Sequence, residues 1–275
     1  MTATSAERGR AGIDAGATLW KLALLREDLE TEVFPAGAVD PVRRRLGEWR
    51  PDTVRATGGG GAQLAAALDG LPVGQVSEFD AWPRGAAVLA GRAGWSLPQR
   101  HLLVSLGTGT AILAVDGPAA ARVGGSALGG GTLMGLARLL CGSESFAEVT
   151  ALAARGERGR VDLLVGDVYP EGPEGPQGDI ALPRNLTASN FAKLESREPA
   201  DLAHALMGLV GENLGLLCAA VARAVGTGTV VFGGSPLTDN PRLEEILRLT
   251  VAFGGCEARF LPDGAFCGAV GAAVS

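Results

Sequence analysis

Aromatic residues make up only 5% of the 275 positions, with one tyrosine, Tyr169. Histidine occurs twice, at His101 and His204. Two imidazoles with no third ligand nearby in sequence give no zinc-site pattern, and both read as ordinary strand-end or surface residues. Lysine is confined to Lys21 and Lys193, and every other basic residue is arginine. The four cysteines (Cys141, Cys218, Cys256, Cys267) form no CxxC and no metal spacing, so they read as reduced core thiols of a cytoplasmic protein. The net charge of -6 comes without any basic stripe, which argues against nucleic acid as a partner. The cluster Arg43, Arg44, Arg45 reads as a solvated helix face. No stretch reaches the roughly 18–20 unbroken apolar residues of a membrane span; Leu206 to Leu217 is interrupted by Glu212 and Asn213. The polar N-terminus lacks the apolar core of a signal peptide.

Two phosphate-binding fingerprints are also missing. There is no GxxxxGK[ST] loop, and the glycines at 107 and 109 lead into a strand rather than a helix, which excludes a dinucleotide turn. Glycine itself is abundant, at 42 residues, without the three-residue period of collagen. It collects at Gly16, Gly58 to Gly61, Gly107 and Gly109, Gly129 to Gly131, and Gly233 and Gly234. Any one of these is a plain tight turn. Five of them at element ends, several beside threonine, suit backbone amides cradling a polyphosphate. Asp14 ends the first strand. It is placed either to hold Mg²⁺, directly or through water, or to form an Asp turn with its own backbone. Lys21, on an apolar strand, supplies a compact point charge.

The hydrophobic pattern predicts an α/β chain with a mixed sheet in each half. Ala11 to Asp14, Thr18 to Leu25 and Thr31 to Phe34 read as an antiparallel meander. A helix over Val42 to Trp49 follows, with Asp40 as N-cap and Pro41 at its first position. Strands are predicted at 53–56, 73–76, 101–106, 111–115, 161–168, 229–232 and 258–261. Helices are predicted at 62–68, 78–94 (interrupted or offset by Pro83), 199–225 (with a break near Gly211), 241–251 and 264–274. A Pro- and Gly-rich loop covers Pro170 to Gly178. Strand, glycine-threonine turn, strand occurs twice, as DAGAT and as GTGT, a weak internal repeat implying two lobes of similar topology. Trp20, Trp49, Trp82 and Trp95 read as packing anchors, and Asp162 and Asp167 as structural acids. The long 199–225 helix has a broad apolar face suited to core or interface.

The motifs GIDAGATLWK (12–21), TGGGGAQ (57–63), EFDA (78–81), LGTGT (106–110), RVGGSALGGGTLMGL (122–136), LTASNFAK (186–193) and DGAFCGAVGA (263–272) together resemble type II pantothenate kinases. The resemblance implies a two-lobed actin-like ATPase (ribonuclease H-like) fold, with lobes at 1–95 and 96–275. It implies ATP-dependent phosphorylation of pantothenate to 4′-phosphopantothenate, the first step of coenzyme A synthesis. Glu78 matches the family's catalytic base and Arg122 its substrate arginine. The nucleotide positions would be Asp14, Ala15, Gly16, Ala17, Thr18, Leu19, Trp20, Lys21, Thr108, Gly130, Gly131, Thr132, Leu133, Met134, Phe146 and Ser235, with Mg²⁺ at Asp14. Ala17, Ser105, Ala121, Met134 and Phe146 depart from the usual family residues. The resemblance also implies a homodimer and a link to coenzyme A thioesters. The alternatives are a kinase for a sugar or another small alcohol, and a catalytically weak sensor of ATP or acyl-CoA.

Overall fold

A computed structural model describes residues 9–169 and 182–275; the expected Pro170 to Gly178 loop lies outside the described residues. The elements run β1 (Arg10–Ala15), β2 (Leu19–Leu25), β3 (Leu29–Pro35), α1 (Val39–Trp49), β4 (Thr53–Thr57), α2 (Gly61–Ala67), β5 (Val73–Gln75), α3 (Glu78–Arg92), β6 (Arg100–Leu106), β7 (Thr110–Asp116) and β8 (Ala119–Ser126). Then come α4 (Gly130–Cys141), α5 (Phe146–Arg155), β9 (Leu163–Leu164), α6 (Val165–Val168), β10 (Thr187–Ser189), α7 (Pro199–Val225), β11 (Thr229–Gly233), α8 (Pro241–Phe253), β12 (Glu257–Phe260) and α9 (Cys267–Val274).

Two five-stranded sheets have the orders β3-β2-β1-β4-β5 and β12-β11-β6-β7-β8. Read from the meander side, the second becomes β8-β7-β6-β11-β12. In both, an antiparallel meander ends on a strand (β1 or β6) that pairs in parallel with the next (β4 or β11). The weak repeat DAGAT/GTGT therefore marks a duplicated topology. Compactness groups the chain into one unit of Met1–Gly125, Thr229–Thr238 and Arg259–Ser275, and a second of Ser126–Gly228 and Asp239–Ala258.

In the first unit, Ile13, Leu22, Leu24, Trp20, Trp49 and Leu64 form one apolar cluster. Trp82, Leu89, Leu103, Val231 and Val270 belong to another. α9 is made of small residues because it meets neighbouring backbone directly. A Cβ on Gly12 would stand 1.9 Å from the Ala269 carbonyl, one on Gly85 1.9 Å from the Cys267 carbonyl, and one on Gly271 1.8 Å from the Ala81 carbonyl. Only glycine fits at such distances.

In the second unit, α7 is a single helix through Gly211, without the predicted break. Gly211 and Gly215 instead admit α8, whose Ile246 and Thr250 would lie 2.7 Å from added Cβ atoms. By length and mean hydropathy α7 is apolar enough to cross a membrane, but it is mostly buried among its neighbours in this unit. Three other expectations differ. α1 starts at Val39 with Ala38 as its cap, and Val42 N–H bonds the Ala38 carbonyl, so Asp40 lies in the first turn rather than capping it. α3 continues through Pro83, losing one donor while its buried face stays packed. The 161–168 strand shrinks to Leu163–Leu164, because Asp167 accepts the Leu164 N–H at 2.9 Å and turns the chain into α6.

Candidate active site

Asp14 and Lys21 are direct cross-strand partners in the β1–β2 register, and their charges lie 3.8 Å apart on nearly buried side chains. Burial raises the Asp14 carboxyl above its ordinary value, and Lys21 opposes that shift. The glycine turn after β4 closes over this acid. Gly58 has φ +86°, and a Cβ there would meet Asp14 Oδ1 at 2.8 Å; Gly60 N–H donates to the Ala15 carbonyl at 2.9 Å. The 58–61 glycines thus include positions required by contact with β1. Thr57, Asp14's partner in the parallel register, carries a buried hydroxyl with no hydrogen-bond partner.

Glu78 opens α3, with Ser77 as N-cap. Its carboxyl is raised above its ordinary value, first by burial, then by the negative charge of Asp14; Lys21 and Arg122 pull it back. Two acids and two cations thus share one electrostatic neighbourhood in the first unit. Arg122 is exposed on β8, and a Cβ on Gly125 would stand 2.9 Å from its Nη2. Glycine there leaves the guanidinium room.

The repeated turns are tied together. Thr18 Oγ1 and Thr108 Oγ1 are 3.1 Å apart, and the second turn closes by a Gly107 N–H to Gly109 carbonyl bond of 2.8 Å. Ser235 follows Gly234, whose φ is +129° and whose added Cβ would fall 1.8 Å from the Leu106 carbonyl. That glycine sets the Ser235 turn against the end of β6, beside the Thr108 turn. Within the first unit, then, Asp14 pairs with Lys21, the Glu78 carboxyl responds to the charges of both and of Arg122, and Thr18 meets Thr108. Ala15 and Trp20 are buried, leaving mainly backbone for a ligand.

The second unit carries the remaining nucleotide candidates. Gly130, Gly131 and Thr132 form the first turn of the 12-residue α4, where free N–H groups and the helix dipole favour anions. Thr132 Oγ1 donates to the Ala127 carbonyl at 3.0 Å. Leu133 is fully buried, Met134 half-buried, and Phe146 starts α5 after the Ser145 cap. The TASNFAK segment is anchored by buried charge. Arg158 pairs with Glu212 at 2.7 Å, Glu212 accepts Thr187 N–H, and Asp162 accepts Phe191 N–H. Asp167 pairs with Lys193 at 3.1 Å.

The sequence reading missed Thr57, whose importance depends on parallel pairing, and Gly268. An added Cβ on Gly268 would stand 2.8 Å from Asp14 Oδ2 and 3.1 Å from Trp82 Nε1. The spacing of small residues in DGAFCGAVG was the available signal.

Two mixed sheets of duplicated topology, with acids and glycine turns at strand ends, define an actin-like ATPase fold. Among solved structures, the chain is similar to the activator of 2-hydroxyisocaproyl-CoA dehydratase from Clostridium difficile with bound ADPNP, at TM-score 0.62 and 15% identity, covering 96% of this chain and 92% of that one. It is also similar to a ROK family glucokinase from Streptomyces griseus in complex with glucose and AMPPNP, at TM-score 0.56 and 16% identity, covering 96% and 98%. Residues 96–275 match the Fumble family. A type II pantothenate kinase of Staphylococcus aureus (strain USA300) is 31% identical over 269 residues, spanning 96% of this chain and 98% of the relative. The chain belongs to the type II pantothenate kinase family.

Proposed function

We propose that this kinase transfers the γ-phosphoryl group of ATP to the primary hydroxyl of pantothenate, with Glu78 as general base and Arg122 as the substrate-carboxylate anchor. The observation that carries the residue assignment is the shared neighbourhood of Glu78, Asp14, Lys21 and Arg122. There the raised Glu78 carboxyl feels the charges of two cations of the kind that hold anionic substrates. Glu78 accepts the hydroxyl proton as that oxygen attacks phosphorus, and ADP leaves with the bond that breaks. A guanidinium grips a carboxylate through two parallel hydrogen bonds, so Arg122 orients the acceptor. The protein's part is mainly positioning and charge stabilisation, as befits a loose phosphoryl-transfer transition state.

Mg²⁺ suits the acid end of β1. Asp14 and the unpartnered Thr57 hydroxyl would offer oxygen donors, and among the described residues no group of three His, Cys, Asp or Glu forms a protein cage. Such a site fits an ion that keeps its waters and shares phosphate oxygens. Asp14 would hold it directly or through water, and the ion would neutralise phosphate charge. In the first unit the nucleotide positions would be the backbone amides of 14–21 and the hydroxyls of Thr108 and Ser235; in the second unit they would be the backbone amides of 130–134 and the ring of Phe146. In this reading 1–95 supplies the base and first turn, and 96–275 supplies the rest.

Family membership further supports a cytoplasmic homodimer that also meets coenzyme A thioesters. The free cysteines among the described residues fit a reducing compartment. Exposed Leu216, Leu249 and Phe253 on α7 and α8 fit a subunit contact. The test is ADP release with pantothenate and Mg·ATP, beside a panel of sugars and small alcohols. Pantothenate-dependent release is expected; release with another alcohol only would replace the acceptor assignment.

A further inference from the structure

Trp82 lies one helical turn after Glu78 on α3, and it is almost wholly buried. Residues four apart occupy the same helix face, so what fixes Trp82 fixes the phase and height of the turn carrying Glu78. Its surroundings are segments that the sequence alone does not connect. An added Cβ on Gly268, in the first turn of α9, would stand 3.1 Å from the indole Nε1 and 2.8 Å from Asp14 Oδ2. One on Gly233, two residues before Ser235, would stand 3.2 Å from the ring's Cζ3. The Cys267 thiol donates to the Trp82 carbonyl at 3.3 Å. Gly85 and Gly271 bring α3 and α9 into backbone contact on either side.

We infer that Trp82, clamped between Gly268 and Gly233, is a positioning residue that sets the Glu78 carboxylate against Asp14 and ties the helix of the base to the Ser235 turn. The inference rests on Glu78 being the base. α9 is the spacer: it touches β1 through Gly12 and Ala269, and α3 through Gly85 and Gly271. A methyl at position 268 would push the Asp14 carboxylate and the indole apart. A displacement near 1 Å at a reacting group costs on the order of a hundredfold in rate, so a small shift of α3 is visible in turnover. Arg122 sits on β8, and an added Cβ at Gly268 or Gly233 does not meet it, so its hold on the acceptor is expected to change far less than the turnover.

The test compares Gly268→Ala, Trp82→Phe and the double variant for kcat, for KM of both substrates and for melting temperature, with Glu78→Gln in the same assay. Gly268→Ala is expected to lower kcat by about tenfold or more while KM for pantothenate stays within about threefold. Replacing indole by phenyl removes the Nε1 atom nearest the new methyl, so the double variant is expected to regain at least about a third of the lost kcat. A purely structural role would lower the melting temperature and leave kcat in the folded fraction unchanged, which would overturn the inference. So would single effects that simply multiply in the double variant. Should Gly268→Ala not fold, Trp82→Phe alone decides, with lowered kcat and unchanged KM supporting the inference and unchanged kcat overturning it. Full turnover in Glu78→Gln would instead remove the base assignment, whatever the packing variants do.

Discussion

At the scale of single residues, Glu78 carries the most exposed part of the account. Removing a general base costs about 10²- to 10⁴-fold in rate, so Glu78→Gln should lose that much kcat while ATP still binds in a thermal-shift titration. Its carboxyl is raised above the ordinary 4.5 by burial and by Asp14. A base works ionised, so kcat/KM should fall as pH drops through a value above that of a free glutamate. Arg122 lowers the same carboxyl; Arg122→Gln should therefore move the acid limb to higher pH and raise KM for pantothenate about tenfold or more. An acid limb that stays put while KM rises would separate Arg122 from Glu78. Little of Glu78's role was legible in its own residue type, since an acid in a helix's first turn is ordinary dipole chemistry; only the motif resemblance singled it out. Asp14 and Lys21 were legible as unusual residues on apolar strands, but not as a pair, because their pairing depends on the β1–β2 register. The orphan hydroxyl of Thr57 depends likewise on β4 lying parallel to β1.

At the scale of elements, glycines divide into two kinds, and stability measurements separate them. Gly47 is exposed within α1 with nothing near its missing Cβ, so Gly47→Ala should stabilise the fold by about 0.5–1 kcal/mol in urea unfolding. Gly271 would drive a methyl into the Ala81 carbonyl at 1.8 Å. Gly271→Ala should destabilise by at least 1–3 kcal/mol, roughly the cost of overpacking. Equal effects from the two would contradict the packing described for α9. β1 and β2 were readable as short continuous apolar runs, because both strands are buried along nearly their whole length, while β3, at the sheet edge, is partly exposed. The continuity of α7 through Gly211 was not, because that glycine answers to Ile246 on another element. The helices α4 and α5 escaped the sequence reading, since the Gly129 to Gly131 cluster read as a phosphate-cradling turn at a strand end and hid the start of α4.

At the scale of the whole molecule, the duplicated sheet order explains why two glycine-threonine turns come together, with Thr18 and Thr108 hydroxyls 3.1 Å apart. The repeat was visible only as DAGAT and GTGT, because topology outlasts side chains whose packing partners change. Ligand binding acts on the molecule as a unit: Mg·ATP at about 100 times its Kd should add about 2.7 kcal/mol of stability, and EDTA should remove most of that gain along with turnover. Persistence of the full shift in EDTA would sever Mg²⁺ from Asp14. The most direct measurement is steady-state ADP formation by wild type and Glu78→Gln with Mg·ATP, with and without pantothenate. The account predicts ADP only when pantothenate is added to the wild type, and almost none from the variant despite normal nucleotide binding. Equal ADP formation by both proteins, or none from a wild type that binds ATP and pantothenate, would contradict it.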